Sequence, residues 1–302
     1  MAIEYMDIDT ITDLLEFYRC GKPVHPLIAI ADLAEVDRSH RKKGDIYYRL
    51  GFYAISCKKF KKGQLRYGRS SYDFSEGSLM FTAPYQAISP SEDMESITGW
   101  GLYIHPDFLN ATPEGRMLTQ FSFFGYDANE ALHISDAERQ ILEDCLETIK
   151  REISINPDRH SYELIVSTLK LFFGYCTRFY ERQFLTRVKV SNDMVQAFER
   201  LLHDCFAEDS LIEDGVPDVK YFASRLHVSP NYLSDLLNKY TGKTTQEHIH
   251  LKLIDKAKWL LWSTNKPVSE VAYELGFVHP SHFTKLFKQR TGVSPRDFRN
   301  LN

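Results

Sequence analysis

Two short polar stretches near the end of the 302-residue chain carry side chains that could read nucleic-acid bases. Between Pro230 and Tyr240, Leu233, Leu236 and Leu237 recur at helical spacing, which leaves Asn231, Tyr232, Ser234, Asp235 and Asn238 on the opposite face. Between Pro280 and Arg290, Phe283, Leu286 and Phe287 do the same, with Ser281, His282, Thr284 and Lys285 outward. Asn pairs with adenine through two hydrogen bonds, Asp accepts from cytosine N4, and Lys meets guanine O6 and N7. Lys285 is the guanine reader these residues suggest, and His282 suits a phosphate or the surface better than a metal. Lys239, Lys243, Lys288, Arg290, Arg296 and Arg299 flank the two stretches and suit phosphate oxygens, contacts that fix register without reading sequence. Each of these residues could equally be a solvated surface side chain.

The elements that would hold them form an internal repeat. Leu233 to Gly242 and Phe283 to Gly292 lie 50 residues apart, and both end in Thr-Gly, a glycine helix stop. Upstream, Val219, Phe222, Ala223 and Leu226 match Val268, Val271, Ala272 and Leu275 at an offset of 49, so the second copy has one inserted residue. Each copy reads as a helix-turn-helix: a short apolar-faced helix with Ala at the crossing, a turn, then a helix opened by Pro230 or Pro280. Ser229 is a suitable N-cap for the first copy. Between the copies, Thr244-x-x-Glu247 is a capping box, and Ile249, Leu253, Ala257, Leu260 and Leu261 carry one apolar face to about Ser263. A rod of that length spans about 30 Å. One turn of DNA is about 34–36 Å, so the rod could set two recognition helices in successive major grooves. The competing reading is a plain helical bundle with two similar hairpins.

The segments Ala257-Lys-Trp-Leu260-Leu261, Val268-Ser-Glu-Val-Ala-Tyr-Glu-Leu-Gly-Phe277, Ser281-His-Phe-Thr-Lys-Leu-Phe-Lys288, Gly292-Val-Ser-Pro295 and Phe298-Arg299 resemble the AraC/XylS family of bacterial transcription regulators. The resemblance covers roughly 192–302 and implies a seven-helix module whose first helix runs from Ser191 to about Glu208. It departs from the family at Lys252, where an Arg is frequent, and at Pro280, where a polar residue is. It implies base reading by Asn231, Ser234 and Asp235 in the first copy and by Ser281, Thr284 and Lys285 in the second.

Charge agrees with an anionic partner for this end. From Val219 onward there are 13 Lys and Arg against 6 Asp and Glu, whereas the totals of 37 and 41 leave 24 basic and 35 acidic residues before that point. With 43% apolar and 26% charged residues the chain is neither disordered nor low in complexity. Cys20, Cys57, Cys145, Cys176 and Cys205 are odd in number and widely spaced, which fits neither a disulfide framework nor a thiolate zinc site. The opening residues lack a basic start and an apolar run, and no stretch reaches a membrane span, so the expectation is a cytoplasmic chain.

The earlier part has strand character from about Lys22 to Asn110, in Leu27–Leu33, Tyr47–Ile55, Ser78–Thr82 and Gly99–Ile104, which suggests a small barrel or sandwich. The resemblance implies a cupin-like barrel here, with Tyr72 to Gly77 and Ala83-Pro84 in its closing region. Two helices should follow: one opened by Ser135 and carrying Ile141 to Ile153, the other from about Ser161 to Arg182 with Leu164, Ile165, Leu169, Phe172, Tyr175, Cys176 and Phe179. Such stripes fit packing within the chain or against a second copy. The resemblance implies the second, a homodimer. Gln183 to Val190 reads as a short basic linker.

The expected fold is therefore α+β: an effector-sensing barrel over 1–134, a helical dimerisation segment and linker over 135–190, and a double helix-turn-helix over 191–302. Tyr47, Tyr53, Tyr67, Tyr85, Trp100 and Tyr103 are the aromatic candidates for an effector pocket. The histidines of the first part stand singly, and His248-x-His250 would point about 200° apart on a helix, so neither a metal nor another cofactor is expected. No catalytic arrangement stands out, so no enzyme is expected either. The resulting expectation is a DNA-binding regulator, an activator by resemblance, with double-stranded DNA, a small-molecule effector and RNA polymerase as partners. Its rivals are a cupin-type metalloenzyme fused to a DNA-binding module and a dimeric regulator without an effector.

Overall fold

A computed structural model describes residues 4–37, 46–60, 65–67, 70–72, 77–88, 97–110, 118–127, 130–156, 158–186, 188–207, 211 and 215–300. The chain divides into two compact units, Met1–Thr186 and Arg187–Asn302.

The N-terminal unit opens with β1 (Glu4–Ile8) and α1 (Ile11–Tyr18). Thr10 starts α1 through a capping box with Asp13, a signal present in the sequence that the strand reading passed over. Strands β2 (Ile28–Asp32), β3 (Ile46–Leu50), β4 (Tyr53–Phe60), β5 (Leu65–Tyr67), β6 (Ser70–Tyr72), β7 (Ser78–Thr82), β8 (Ala87–Ile88) and β9 (Ile97–Ile104) follow. After the short helix α2 (Asp107–Asn110) come two 3-10 turns and β10 (Leu132–His133), then α3 (Asp136–Ser154) and α4 (Ser161–Thr186). The five-stranded sheet is antiparallel in the order β10-β7-β4-β9-β2; β1 pairs parallel with β3, which pairs with β8; β5 and β6 form a hairpin.

The run Tyr47–Ile55, expected as one strand, is two strands in different sheets. Gly51 sits at the break, its N–H donating to the Ile8 carbonyl at 2.8 Å, and a Cβ there would lie 2.8 Å from the Asp9 carbonyl oxygen. Among the described residues none of the sheets closes on itself, so the expected barrel is not formed by them. Both faces of the five-stranded sheet are covered instead. One face carries the small residues Ala29, Ala31 and Ala54, which share a core with α1 and with Ile8, Tyr48 and Leu50 of the second sheet. On the other, the Trp100 and Phe81 rings meet Phe172 at 6.0 Å and Tyr180 at 6.0 Å.

The apolar stripe of α4 is therefore occupied within its own chain. Ile165, Leu169, Phe172, Cys176 and Phe179 are buried there, leaving Leu164, Leu171 and Leu185 about half exposed. The helix runs past the expected Arg182 to Thr186, and α5 (Val188–Ala207) begins at once, so the segment read as a linker is helical on both sides of residue 187. Gln183 is buried and completes the outer edge of β10, accepting from the His133 N–H at 2.8 Å and donating to the Ala131 carbonyl at 3.2 Å. Beside it, Arg182 donates to the His133 carbonyl at 2.7 Å and pairs with Glu138. These partners satisfy strand-edge groups that would otherwise be buried without one, a penalty of about 1–3 kcal/mol each.

The C-terminal unit continues from α5 through α6 (Val219–Leu226), α7 (Pro230–Thr241), α8 (Thr245–Ser263), α9 (Val268–Glu274) and α10 (Pro280–Thr291) to α11 (Pro295–Arg299). Its core joins both expected copies: Phe222, Leu233 and Leu237 of the first, Val271, Phe283 and Phe287 of the second, and Leu253, Ala257 and Leu261 of α8 between them.

Candidate nucleic-acid interface

The repeat holds at the level of single hydrogen bonds. Helix α7 ends at Gly242 (φ 71°) and α10 at Gly292 (φ 83°), the left-handed conformation that glycine adopts without strain. One residue earlier, the Thr241 and Thr291 hydroxyls reach back to the Leu237 and Phe287 carbonyls at 2.7 and 2.8 Å. The next helix starts alike in both copies. The Thr244 hydroxyl accepts from the Glu247 N–H at 3.3 Å, and the Ser294 hydroxyl accepts from the Asp297 N–H at 3.1 Å. Bonds from the Thr244 N–H and hydroxyl hold the Glu247 carboxyl below the usual carboxylate range.

The copies differ in their turns. In the first, His227 (φ 58°) ends α6 and Ser229 caps α7, its hydroxyl accepting from the Tyr232 N–H at 3.2 Å. In the second, Gly276 (φ 84°) follows α9, and His279 makes no side-chain cap. The inserted residue is Val278, whose side chain is 79% exposed. Replacing Ser229 with alanine removes the only side-chain cap of the two recognition helices and is expected to cost about 1 kcal/mol in a urea titration; His279→Ala should cost much less.

Helix α7 buries Leu233, Leu236 and Leu237, and α10 buries Phe283 and Phe287 with Leu286 partly buried, as their spacing predicts. Asn231, Ser281 and Lys285 are exposed and Asp235 is half-buried. Ser234 and Thr284 occupy equivalent positions and are both half-buried. The Ser234 hydroxyl donates to Thr245 Oγ1 at 3.2 Å, and the Thr284 hydroxyl donates to the Pro280 carbonyl at 3.1 Å. Both hydroxyls thus have partners inside the domain.

Lys239, Lys243, Lys288, Arg290 and Arg296 are exposed. Arg290 also reaches His250 Nδ1 on α8 at 3.1 Å. Arg299 is half-buried, with Nε donating to the Leu261 carbonyl at 3.1 Å, where it serves the C-terminal end of α8. Lys256, on α8, donates to the Phe206 carbonyl at 2.9 Å, and Lys266 pairs with Glu274 at 2.8 Å, so part of the positive charge is structural. Sequence reasoning passed over Arg225 of α6, exposed and lying over the Tyr221 ring at 3.7 Å, although its i, i+4 spacing from Tyr221 could have shown it.

His248 and His250 face different partners. His248 Nε2 lies 2.7 Å from Thr241 Oγ1 and its ring meets Phe198, whereas His250 faces Arg290. Burial pushes the pKa of both below the usual histidine value, with Lys243 adding to the effect on His248 and Arg290 on His250. Among the described residues no three His, Cys, Asp or Glu side chains are grouped to hold a metal ion. Nor is any described helix long and apolar enough to cross a membrane.

The aromatic candidates for an effector pocket do not share one cavity. Tyr47 lines a cleft with Phe81, Tyr126 and Tyr180. Tyr53 packs on Phe124 at 4.8 Å and Trp100 on Phe172, both on the helix-covered face of the sheet. Tyr103 is buried on the opposite face against Phe52. Tyr85 is 58% exposed and donates to Asp9 at 3.3 Å. The side chain of Tyr67 lies outside the described residues. Adjacent residues of a strand point to opposite faces, so residue type alone could not tell which tyrosines meet.

Residues 222–301 match a family model described as a helix-turn-helix domain. The chain is 31% identical over 142 residues to the uncharacterized HTH-type transcriptional regulator YfiF of Bacillus subtilis, covering 47% of this chain and 41% of that protein. It is 34% identical over 98 residues to the HTH-type transcriptional activator RhaS of Salmonella arizonae, covering 32% of this chain and 33% of that protein. The chain thus spans well under two thirds of the length of these relatives. Among solved structures, the C-terminal domain of AraT, a response regulator from Geobacillus stearothermophilus, is 27% identical with a TM-score of 0.32, covering 36% of this chain and 85% of that one. With two matched motifs joined by one connecting helix, residues 222–301 are a helix-turn-helix domain of the AraC type.

Proposed function

We propose that the chain is a sequence-specific DNA-binding transcription regulator, an activator, whose N-terminal unit binds a small-molecule effector. The observation that carries this reading is the pair of matched helix-turn-helix motifs on α8, each presenting a polar face flanked by exposed Lys and Arg. Asn231, Asp235, Ser281 and Lys285 are the base readers in this reading. Ser234 and Thr284 already spend their hydroxyl hydrogens within the domain, so in this reading they meet bases as acceptors unless those bonds break. Lys239, Lys243, Lys288, Arg290 and Arg296 meet phosphates, while Arg299 holds α11 to α8.

Activation is supported by the name of the RhaS relative and brings RNA polymerase in as a partner. A homodimer is supported by Leu164, Leu171 and Leu185, exposed at intervals of 7 and 14 residues along α4, the heptad spacing of a helix seam.

The test is competition binding on an operator selected from genomic fragments. Lys285→Ala is expected to cost about 1–3 kcal/mol and to relax preference at one base step only. Equal weakening on every sequence would make Lys285 a phosphate contact instead.

A further inference from the structure

A cleft of about 270 Å³ in the N-terminal unit lies where β7, β8 and the later turns of α4 meet. About 150 Å³ is enough for benzene, so this volume suits a single ring with a short side chain. Its lining is unusual in composition. Tyr47, Phe81, Phe123, Tyr126 and Tyr180 contribute five aromatic rings, and Asp127 is the only charged residue among the described lining residues. Phe81 and Phe123 lie 4.5 Å apart, Phe123 stacks on Tyr180 at 5.5 Å, and Tyr126 meets Tyr180 at 5.2 Å and 83°. The two tyrosine rings meet edge to face, and Tyr126 is next in sequence to the Asp127 carboxylate.

We propose that this cleft binds a small organic ammonium ion with an apolar body, its cation held between Asp127 and the tyrosine rings of the lining and its body against Phe81 and Phe123. The inference deepens the effector reading above and rests on it. Aromatic rings and one carboxylate attract a cation, and among the described lining residues none supplies a positive charge to receive an anion. The site is also held in shape. The Asp127 N–H donates to Glu130 Oε2 at 2.7 Å, and the Tyr180 hydroxyl donates to the Glu130 carbonyl at 3.3 Å.

The same wall leads out of the unit. Ala131 lines the cleft, and its carbonyl accepts from Gln183, three residues after Tyr180 and three before Thr186, where the unit ends. A ligand pressing on Tyr180 and Ala131 therefore bears on the last turn of α4, from which the chain passes into the DNA-binding unit.

The experiment is calorimetric titration of the full chain with three probes of one shape: phenethylamine as the cation, 2-phenylethanol as the neutral molecule and phenylacetate as the anion. Phenethylamine is expected to bind at least about tenfold more tightly than phenylacetate. Asp127→Asn should remove that preference while leaving 2-phenylethanol unchanged. Ala87→Trp, at an exposed lining position and so compatible with folding, should fill the cleft and weaken all three. Equal or tighter phenylacetate binding, an unchanged preference in Asp127→Asn, or no binding of any probe would overturn the proposal. If no probe binds while the protein still selects an operator, the ammonium site falls and the regulator reading stands; phenethylamine binding without any DNA binding separates them the other way.

Discussion

Gly276→Ala is expected to destabilise the C-terminal unit by about 2–5 kcal/mol, combining left-handed strain with overpacking. The residue has φ 84°, and a Cβ there would lie 2.6 Å from the Leu211 carbonyl oxygen, 2.7 Å from the Gly215 carbonyl carbon and 2.8 Å from the Val216 N. All three are backbone atoms, so no side chain can turn aside to make room. The turn of the second motif is thereby pressed against the segment that precedes the first. The equivalent residue of the first copy, His227, holds φ 58° with a side chain in place and is exposed. His227→Gly should therefore shift stability by less than about 1 kcal/mol. Urea unfolding of the two variants side by side checks the asymmetry, and similar losses in both would refute it.

Phe283→Ala should cost about 3–5 kcal/mol, and Leu233→Ala in the first copy about 2–5 kcal/mol. Both side chains are fully buried, but Phe283 also makes ring contacts with Phe277 at 5.5 Å and Phe287 at 5.7 Å. Truncation leaves a cavity between α9 and α10 and removes the contact that fixes the angle of the second recognition helix. In DNA footprinting, Phe283→Ala should lose protection over one groove and Leu233→Ala over the other. Loss of the whole footprint in a variant whose helix content is unchanged would show that the two motifs do not act as separate readers.

The C-terminal unit was legible because its signals are local. Helical spacing set the buried faces of α7 and α10, and Ser229, Thr244, Pro230, Pro280 and the two Thr-Gly stops set the ends within a residue or two. What spacing could not give was which outward groups bond within the domain. Ser234 meets Thr245 across 11 residues and Arg299 meets Leu261 across 38, contacts that depend on packing angles. The N-terminal unit was less legible for the same reason. Its strands were found where β-branched and aromatic residues cluster, yet the corner at Gly51 exists because Asp9 lies against it, a partner 42 residues away. The stripe of α4 shows a third limit: its periodicity marks a buried face, but only the sheet beneath it shows that Phe172 and Tyr180 are spent within the chain.

In the proposed function, two matched motifs on one connecting helix read DNA in adjacent major grooves. Its most direct test is titration of the intact protein onto labelled DNA from upstream of its own and neighbouring genes, against shuffled sequence, at two salt concentrations. The expected result is a preference of about a thousandfold or more for at least one segment, with affinity falling steeply as salt rises. Binding that is absent, or equal on both DNAs and insensitive to salt, would contradict it.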